Sequence, residues 1–454
     1  MPAQNPHSAS RSELASLGSL AVPIILTNLT MFSMATVDTL MVGNSSKEEL
    51  AAMGLAAVWI QGTILFASGI LFGMDPIVSQ AHGAGDQQRI RKILGQGLVM
   101  GTLLCPLLML AWGHTERFLL LTGQQPELAK QGGLYANWQL LSAPGVLAFA
   151  AIRQWLQGQR ILRPVLVHAI WTNGVNVLLN WLLIYGHWGM PAMGLKGAAI
   201  ATTVARTAMG AAVIWHLLRN YRETVPRLGL SPDAWNPKAQ RHLLGIGFPI
   251  ACQVTLEVAA FGLSTLMAGR IGTIPTSAHL VVMNLASITF MVPLGIGLAA
   301  STRIGNLIGE GRARAARHSA RYTFGLSTAV GCLAGLLFLF GRHWLPTLYT
   351  TTDDVDVRTM AAAILPIAGA FQVFDCVQVV GSGVLRGAGK TRPAAVFNLF
   401  GYWLIALPVS WYLTFRMDWG LPGIWWGLAL GLAVVAAALL VYWKRLDIEH
   451  IHRV

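Results

Sequence analysis

The chain has 454 residues, 54% of them hydrophobic and 11% charged, with a mean hydropathy of +0.55 and a formal net charge of +13. An average soluble domain carries about 25% charged residues, so the composition excludes an ordinary soluble enzyme and points to a membrane protein. Strand-type alternation is absent, which argues against a membrane barrel.

The first fifteen residues are polar and carry no cleavage pattern, so no removable signal peptide is expected. Twelve apolar runs follow, each near the roughly 20 residues that cross a bilayer. Six lie at 16–42, 51–74, 91–112, 131–152, 164–186 and 194–218. Six more lie at 242–269, 278–301, 320–341, 359–384, 395–415 and 421–443. Between the two sets, Pro226, Gly229, Pro232 and Pro237 stand among charged residues. They make a poor span and a good linker, which predicts lobes 1–225 and 226–454. Pro23, Pro76, Pro106, Pro144, Pro249, Pro293, Pro366 and Pro408 fall in or near the spans and predict local bends. The fold class read from this pattern is an all-α integral membrane protein of twelve transmembrane helices.

The two sets are copies. Asp38-Thr39-Leu40-Met41-Val42-Gly43 reappears as Ser264-Thr265-Leu266-Met267-Ala268-Gly269, an offset of 226 that also carries Pro23 onto Pro249, Gly83 onto Gly309 and Gly85 onto Gly311. Leu156, Gly158, Arg163 and Pro164 map onto Leu385, Gly387, Arg392 and Pro393 at 229, and Trp188-Gly189 onto Trp419-Gly420 at 231. A drifting register is the trace of a duplication followed by small loop insertions. Two related halves in an apolar chain are characteristic of carriers. With six spans each, both halves enter the bilayer from the same side.

The positive charge would suit a nucleic-acid partner, but its placement encodes topology. With the N-terminus inside, the outer segments hold only Lys47, Arg117, Lys130, Lys196, Arg270, Arg342, Arg358 and Arg416 of the 32 lysines and arginines. Arg206 falls within a span and the others are on inner segments. This is the positive-inside pattern and places both termini in the cytoplasm. No nucleic-acid partner is expected. Cys105, Cys252, Cys332 and Cys376 fall inside spans without metal or disulfide spacing and read as small apolar residues. Trp112, Trp188, Trp344, Trp419 and Trp443 near span ends read as interfacial anchors. The glycine-bearing segments Ser79–Asp86 and Gly305–Arg312 lack the Gly-Lys-Ser/Thr of a phosphate loop and read as tight turns.

Three acids sit deep in apolar runs: Asp38 in the first span, Glu257 in the seventh and Asp375 in the tenth. Each ionised side chain at a bilayer centre costs about 2.5–3.5 kcal/mol, so such residues face protein or water and are kept for a purpose. Gln253 precedes Glu257 by four residues, Gln372 precedes Asp375 by three, and Asn176 and Asn180 are four apart, so each pair shares a helix face. Carboxylates beside amides can ligate a hard cation such as sodium through oxygen, or hold a proton; spacing does not choose. Asp75, beside Pro76, reads as a capping or loop residue near the interface. His168 and His216 read as packing or interfacial residues, and Arg206 as a paired or snorkelling side chain. No catalytic Ser/His/Asp set or zinc motif is present, so neither an enzyme nor a resident metal or cofactor is expected.

In this order the motifs resemble the multidrug and toxic compound extrusion (MATE) family, specifically its NorM-like branch. The resemblance rests on Pro23, the Val37–Gly43 stretch, Glu257, Asp375, the turns Gln80–Gly85 and Asn306–Gly311, and Gly387-Ala388-Gly389-Lys390-Thr391. It implies two six-helix lobes in a V with a central cleft, and efflux of cationic small-molecule drugs in exchange for sodium or protons. It assigns Asp38, Glu257 and Asp375 to cation coupling, with transient sodium at Glu257 and Asp375. Asn176, Asn180, Gln253 and Gln372 would support the acids. Asp353, Asp354 and Phe290 would be substrate contacts. Phe290 also marks a departure, since NorM-like members can carry a tyrosine near the second-lobe cation site. A monomer in the lipid bilayer of the cell inner membrane is expected. The alternative is a lipid-linked oligosaccharide flippase of the same broad superfamily, which would line its cleft with cationic residues for a pyrophosphate.

Overall fold

A computed structural model of the chain describes residues 6–222, 232–350, 353–451 and 453–454. Among these the regular structure is helical throughout, with no strand. The helices are α1 (Pro6–Gly43), α2 (Lys47–Leu71), α3 (Met74–Gly83), α4 (Gln87–Gly113), α5 (Thr115–Leu121), α6 (Pro126–Gln139), α7 (Ala143–Gly158), α8 (Arg163–Tyr185) and α9 (Gly194–Asn220). They continue as α10 (Pro237–Ile271), α11 (Thr273–Gly309), α12 (Ala313–Phe340), α13 (Val355–Gly387), α14 (Thr391–Asn398), α15 (Leu407–Phe415) and α16 (Leu421–Arg445).

Eleven stretches among the described residues are long and apolar enough to cross a membrane without a break, counting α2–α3 and α14–α15 as one each. The twelfth expected span, 131–152, is α6 and α7 joined by a single 3₁₀ turn at Leu140–Ser142. Pro144, in the first turn of α7, restarts the helix there. Six spans thus fall in each half, and the second half repeats the first from α1 onto α10 through α9 onto α16.

The local devices repeat as well. Gly85 (φ 71°) and Gly311 (φ 74°) take the same left-handed turn after α3 and α11. Of the segments expected as turns, only residues 84–86 and 310–312 are turn; residues 79–83 and 305–309 are still helical, closing α3 and α11. Asp86 caps α4 by accepting from the Arg89 N–H at 2.9 Å. Arg160 (φ 64°) holds the left-handed position that Gly389 (φ 74°) occupies in the second copy.

The chain separates into two compact units. One is Leu26–Ala251; the other joins the residues up to Ile25 to Cys252–Val454. The lobe boundary expected at 225–226 lies outside the described residues. The units change over inside α1 and α10, in each case two residues past a repeat-related proline, Pro23 or Pro249. Within the second unit, Glu13 near the start of α1 accepts two bonds from Arg303 of α11, at 2.9 and 2.7 Å. Within the first unit, Gln240 near the start of α10 donates to the Gln96 carbonyl of α4 at 3.1 Å.

Small residues let helices close up inside each unit. A Cβ at Gly210 of α9 would stand 2.5 Å from the Gly145 carbonyl of α7, an approach that only glycine permits. Gly383 of α13 meets the Gly297 carbonyl of α11 in the same way. Two expectations are corrected here. Trp112 and Trp443 are buried inside the bundle, Trp112 donating to Thr63 Oγ1 at 2.8 Å, whereas Trp188, Trp344 and Trp419 are exposed. Asp75 is buried in the first turn of α3 instead of reaching an interface.

Candidate functional site

The three embedded acids face protein, not lipid: Asp38, Glu257 and Asp375 are 5%, 7% and 2% exposed. They form two clusters, one in each unit.

The first cluster is built on α1, α8 and α9. Asp38 Oδ1 accepts from Asn180 Nδ2 at 2.5 Å, and Asp38 Oδ2 accepts from Thr202 Oγ1 at 2.8 Å. Asn180 Nδ2 also lies 3.2 Å from Asn176 Oδ1, one turn away, so the two amides act on the carboxylate in series. Arg206 follows Thr202 by four residues and therefore shares its helix face. Its guanidinium donates to Gln139 Oε1 at 2.7 Å and Gln61 Oε1 at 3.2 Å, and stands off from Asp38 within electrostatic reach. Tyr135, buried on α6, is in reach of the same carboxylate. Both Asp38 oxygens thus meet donors.

The second cluster is built on α10, α13 and the α14–α15 span. Glu257 and Asp375 lie within electrostatic reach of each other, with Arg386 near Glu257. Gln378, one turn past Asp375, donates to Asn398 Oδ1 at 2.7 Å, and its Nε2 lies a long 3.4 Å from Glu257 Oε2. Asn398 Nδ2 is itself fixed by the Ala394 carbonyl at 2.8 Å. Leu399–Ala406 then runs as a π-helix. Pro408 lacks the N–H that would return to the Leu404 carbonyl, which loosens the α-helical ladder at this place. The widened turn carries Tyr402 beside Glu257 and Asp375, fully buried. Asp375 Oδ1, Gln378 Oε1 and the Tyr402 hydroxyl are buried without a hydrogen bond of normal geometry. Buried polar atoms are almost always paired. Unpaired oxygens in and beside a pair of carboxylates are suited to a cation with oxygen ligands.

The sequence-predicted residues fall out unevenly. Asn176 and Asn180 come to Asp38. Gln253 shares the face of Glu257 but donates to Ser382 Oγ at 3.0 Å, and Gln372 donates to Thr289 Oγ1 and the Ala286 carbonyl. Phe290 is half-buried on α11; Asp353 and Asp354 are exposed immediately before α13. His168 and His216 pack edge to face, with centroids 5.8 Å apart. Thr202, Gln378, Asn398 and Tyr402 were not anticipated. Asn398 and Tyr402, four apart in an otherwise apolar run, carried the same signal as Asn176 and Asn180.

The two copies are recognised separately by a single family model, MatE, which matches residues 23–182 and again 249–412. The chain belongs to the MATE family. Both matches open on the aligned prolines Pro23 and Pro249. The MATE chain is 34% identical to the multidrug resistance protein NorM of Burkholderia vietnamiensis, over 94% of this chain and 92% of that one. It is also 34% identical to a probable multidrug resistance protein NorM of Rhizobium meliloti, over 94% and 91%. These likenesses place it on the NorM-like branch. The crystal structure of the eukaryotic MATE transporter AtDTX14 shares the fold, with a TM-score of 0.88 and 23% identity over 97% of each chain.

Proposed function

We propose that this MATE protein is a multidrug efflux antiporter that exports organic cations in exchange for sodium or protons. The observation that carries the reading is the second cluster, where Asp375 Oδ1 and the neighbouring Gln378 Oε1 are buried without donors close to Glu257. A monovalent cation entering there satisfies the oxygens and offsets the mutual repulsion of Glu257 and Asp375. Its binding therefore favours one conformation of the carrier over another, which is the requirement for coupling. Asp38 supplies the acid of the first half, and the acids attract the positive charge of the substrate, whose rings apolar and aromatic walls would hold. The NorM names of the relatives support the multidrug assignment. The basic inner segments support a cytoplasmic-membrane location with both termini inside, and the sequence copies 1–225 and 226–454 would be the two halves of the carrier.

The test is ethidium efflux from cells. Asp38→Asn, Glu257→Gln and Asp375→Asn are each expected to abolish export while membrane expression is kept. Unchanged efflux in all three would overturn the assignment.

A further inference from the structure

The two clusters differ in formal charge. The second holds two acids, Glu257 and Asp375, with one guanidinium, Arg386, near Glu257. One added monovalent cation makes it neutral. The first holds one acid, Asp38, and already has one guanidinium in electrostatic reach, Arg206. A further cation there would leave a net positive charge in a buried place, which is costly.

The geometry around Arg206 fixes that cation in position. Its face of α9 is set by Thr202, one turn earlier, which donates to Asp38 Oδ2 at 2.8 Å. Gln139 from α6 and Gln61 from α2 offer oxygens to the guanidinium at 2.7 and 3.2 Å, so its donors are directed at neutral acceptors while its charge acts on Asp38. The groups facing Asp38 are Tyr135 from α6, Asn176 and Asn180 from α8, and Thr202 and Arg206 from α9. Arg206 alone among them is a cation. The sequence copy does not repeat it: at an offset of 231, Arg206 falls on Ala437 of α16, and at 226 Asp38 falls on Ser264. The first half thus carries an acid and a base that the second half lacks at the matching places.

We propose that Arg206 is a tethered cation that takes, at Asp38, the electrostatic place a coupling ion takes at Glu257 and Asp375. The first cluster therefore does not load a metal cation, and any coupling sodium binds in the second. This deepens the antiport reading and rests on it only in taking Asp38 as part of the transport machinery.

The experiment is equilibrium binding of radiolabelled sodium to purified protein in detergent. In the Glu257→Gln/Asp375→Asn variant no saturable sodium binding is expected. Adding Arg206→Gln to that variant should create saturable sodium binding, and a further Asp38→Asn should remove it. Arg206→Lys, which keeps the charge, should create none. Arg206→Met provides a second neutral variant where the Gln form does not yield monodisperse protein. Asp38-dependent sodium binding with Arg206 in place would overturn the proposal, as would its absence in both neutral variants. The antiport reading fails separately, by undiminished ethidium export in Asp38→Asn, Glu257→Gln and Asp375→Asn alike, because sodium binding to purified protein needs no transport.

Discussion

The two acid clusters sit in two copies of one ancestral half yet pair their carboxylates differently. Around Asp38 both carboxylate oxygens meet donors, an amide N–H and a hydroxyl, with a guanidinium at a distance and one unpaired oxygen, Asn180 Oδ1, beside them. Around Glu257 and Asp375 two acceptors, Asp375 Oδ1 and Gln378 Oε1, are left without donors, while Gln378 Nε2 and the Tyr402 hydroxyl lie toward Glu257. A carboxylate whose oxygens already meet donors has less to offer a cation than a carboxylate pair with unpaired acceptor oxygens. Duplication supplied the scaffold twice, and a few polar substitutions made the halves unequal.

That contrast can be broken first at the second cluster. Glu257→Gln/Asp375→Asn should remove all dependence of efflux on an imposed cation gradient, the largest effect expected. Retained gradient dependence would move the coupling site elsewhere. Tyr402→Phe removes one buried oxygen and keeps the ring packing. A fall of about tenfold in apparent affinity for the coupling cation is expected, equivalent to about 1.4 kcal/mol, with the maximal rate and Asp38-dependent behaviour unchanged. An unaltered titration of initial efflux rate against cation concentration would remove Tyr402 from the site. Asn398→Leu should act more weakly in the same assay, by about threefold, because it frees Gln378 without removing an oxygen that faces the acids. The smallest effect belongs to the scaffold. Arg160 holds a left-handed position where the second copy has Gly389. Such a conformation costs a non-glycine residue about 1–2 kcal/mol, so Arg160→Gly should stabilise the protein by up to about 1 kcal/mol, seen as a higher thermal midpoint in detergent. A lower midpoint would show that the side chain contributes more than the backbone loses.

The fold was legible because its signals are one-dimensional. Run length, charge asymmetry and a drifting repeat need no knowledge of which helix touches which. The same is true of the three acids, conspicuous by their cost in apolar runs. Their partners were legible only in part. Asn180 lies on a face that the packing of α1 on α8 brings to Asp38. Gln253 and Gln372 have equally good spacing, but neighbouring helices offer Ser382 and Thr289 instead. Shared helical faces are read from sequence, whereas the rotation of one helix against the next is set by close contacts such as Gly210 on Gly145. The departure at Phe290 shows the same limit. The hydroxyl sought there is supplied by Tyr402 from another span, through a π-helical turn that helical periodicity does not reveal.

The central claim is that Glu257 and Asp375 carry the coupling cation. Its most direct test is ethidium flux in proteoliposomes under an imposed sodium gradient and, separately, an imposed pH gradient. Wild-type protein is predicted to drive ethidium uphill under at least one of them, and Glu257→Gln/Asp375→Asn under neither. Uphill flux of undiminished rate in the double variant would contradict the account.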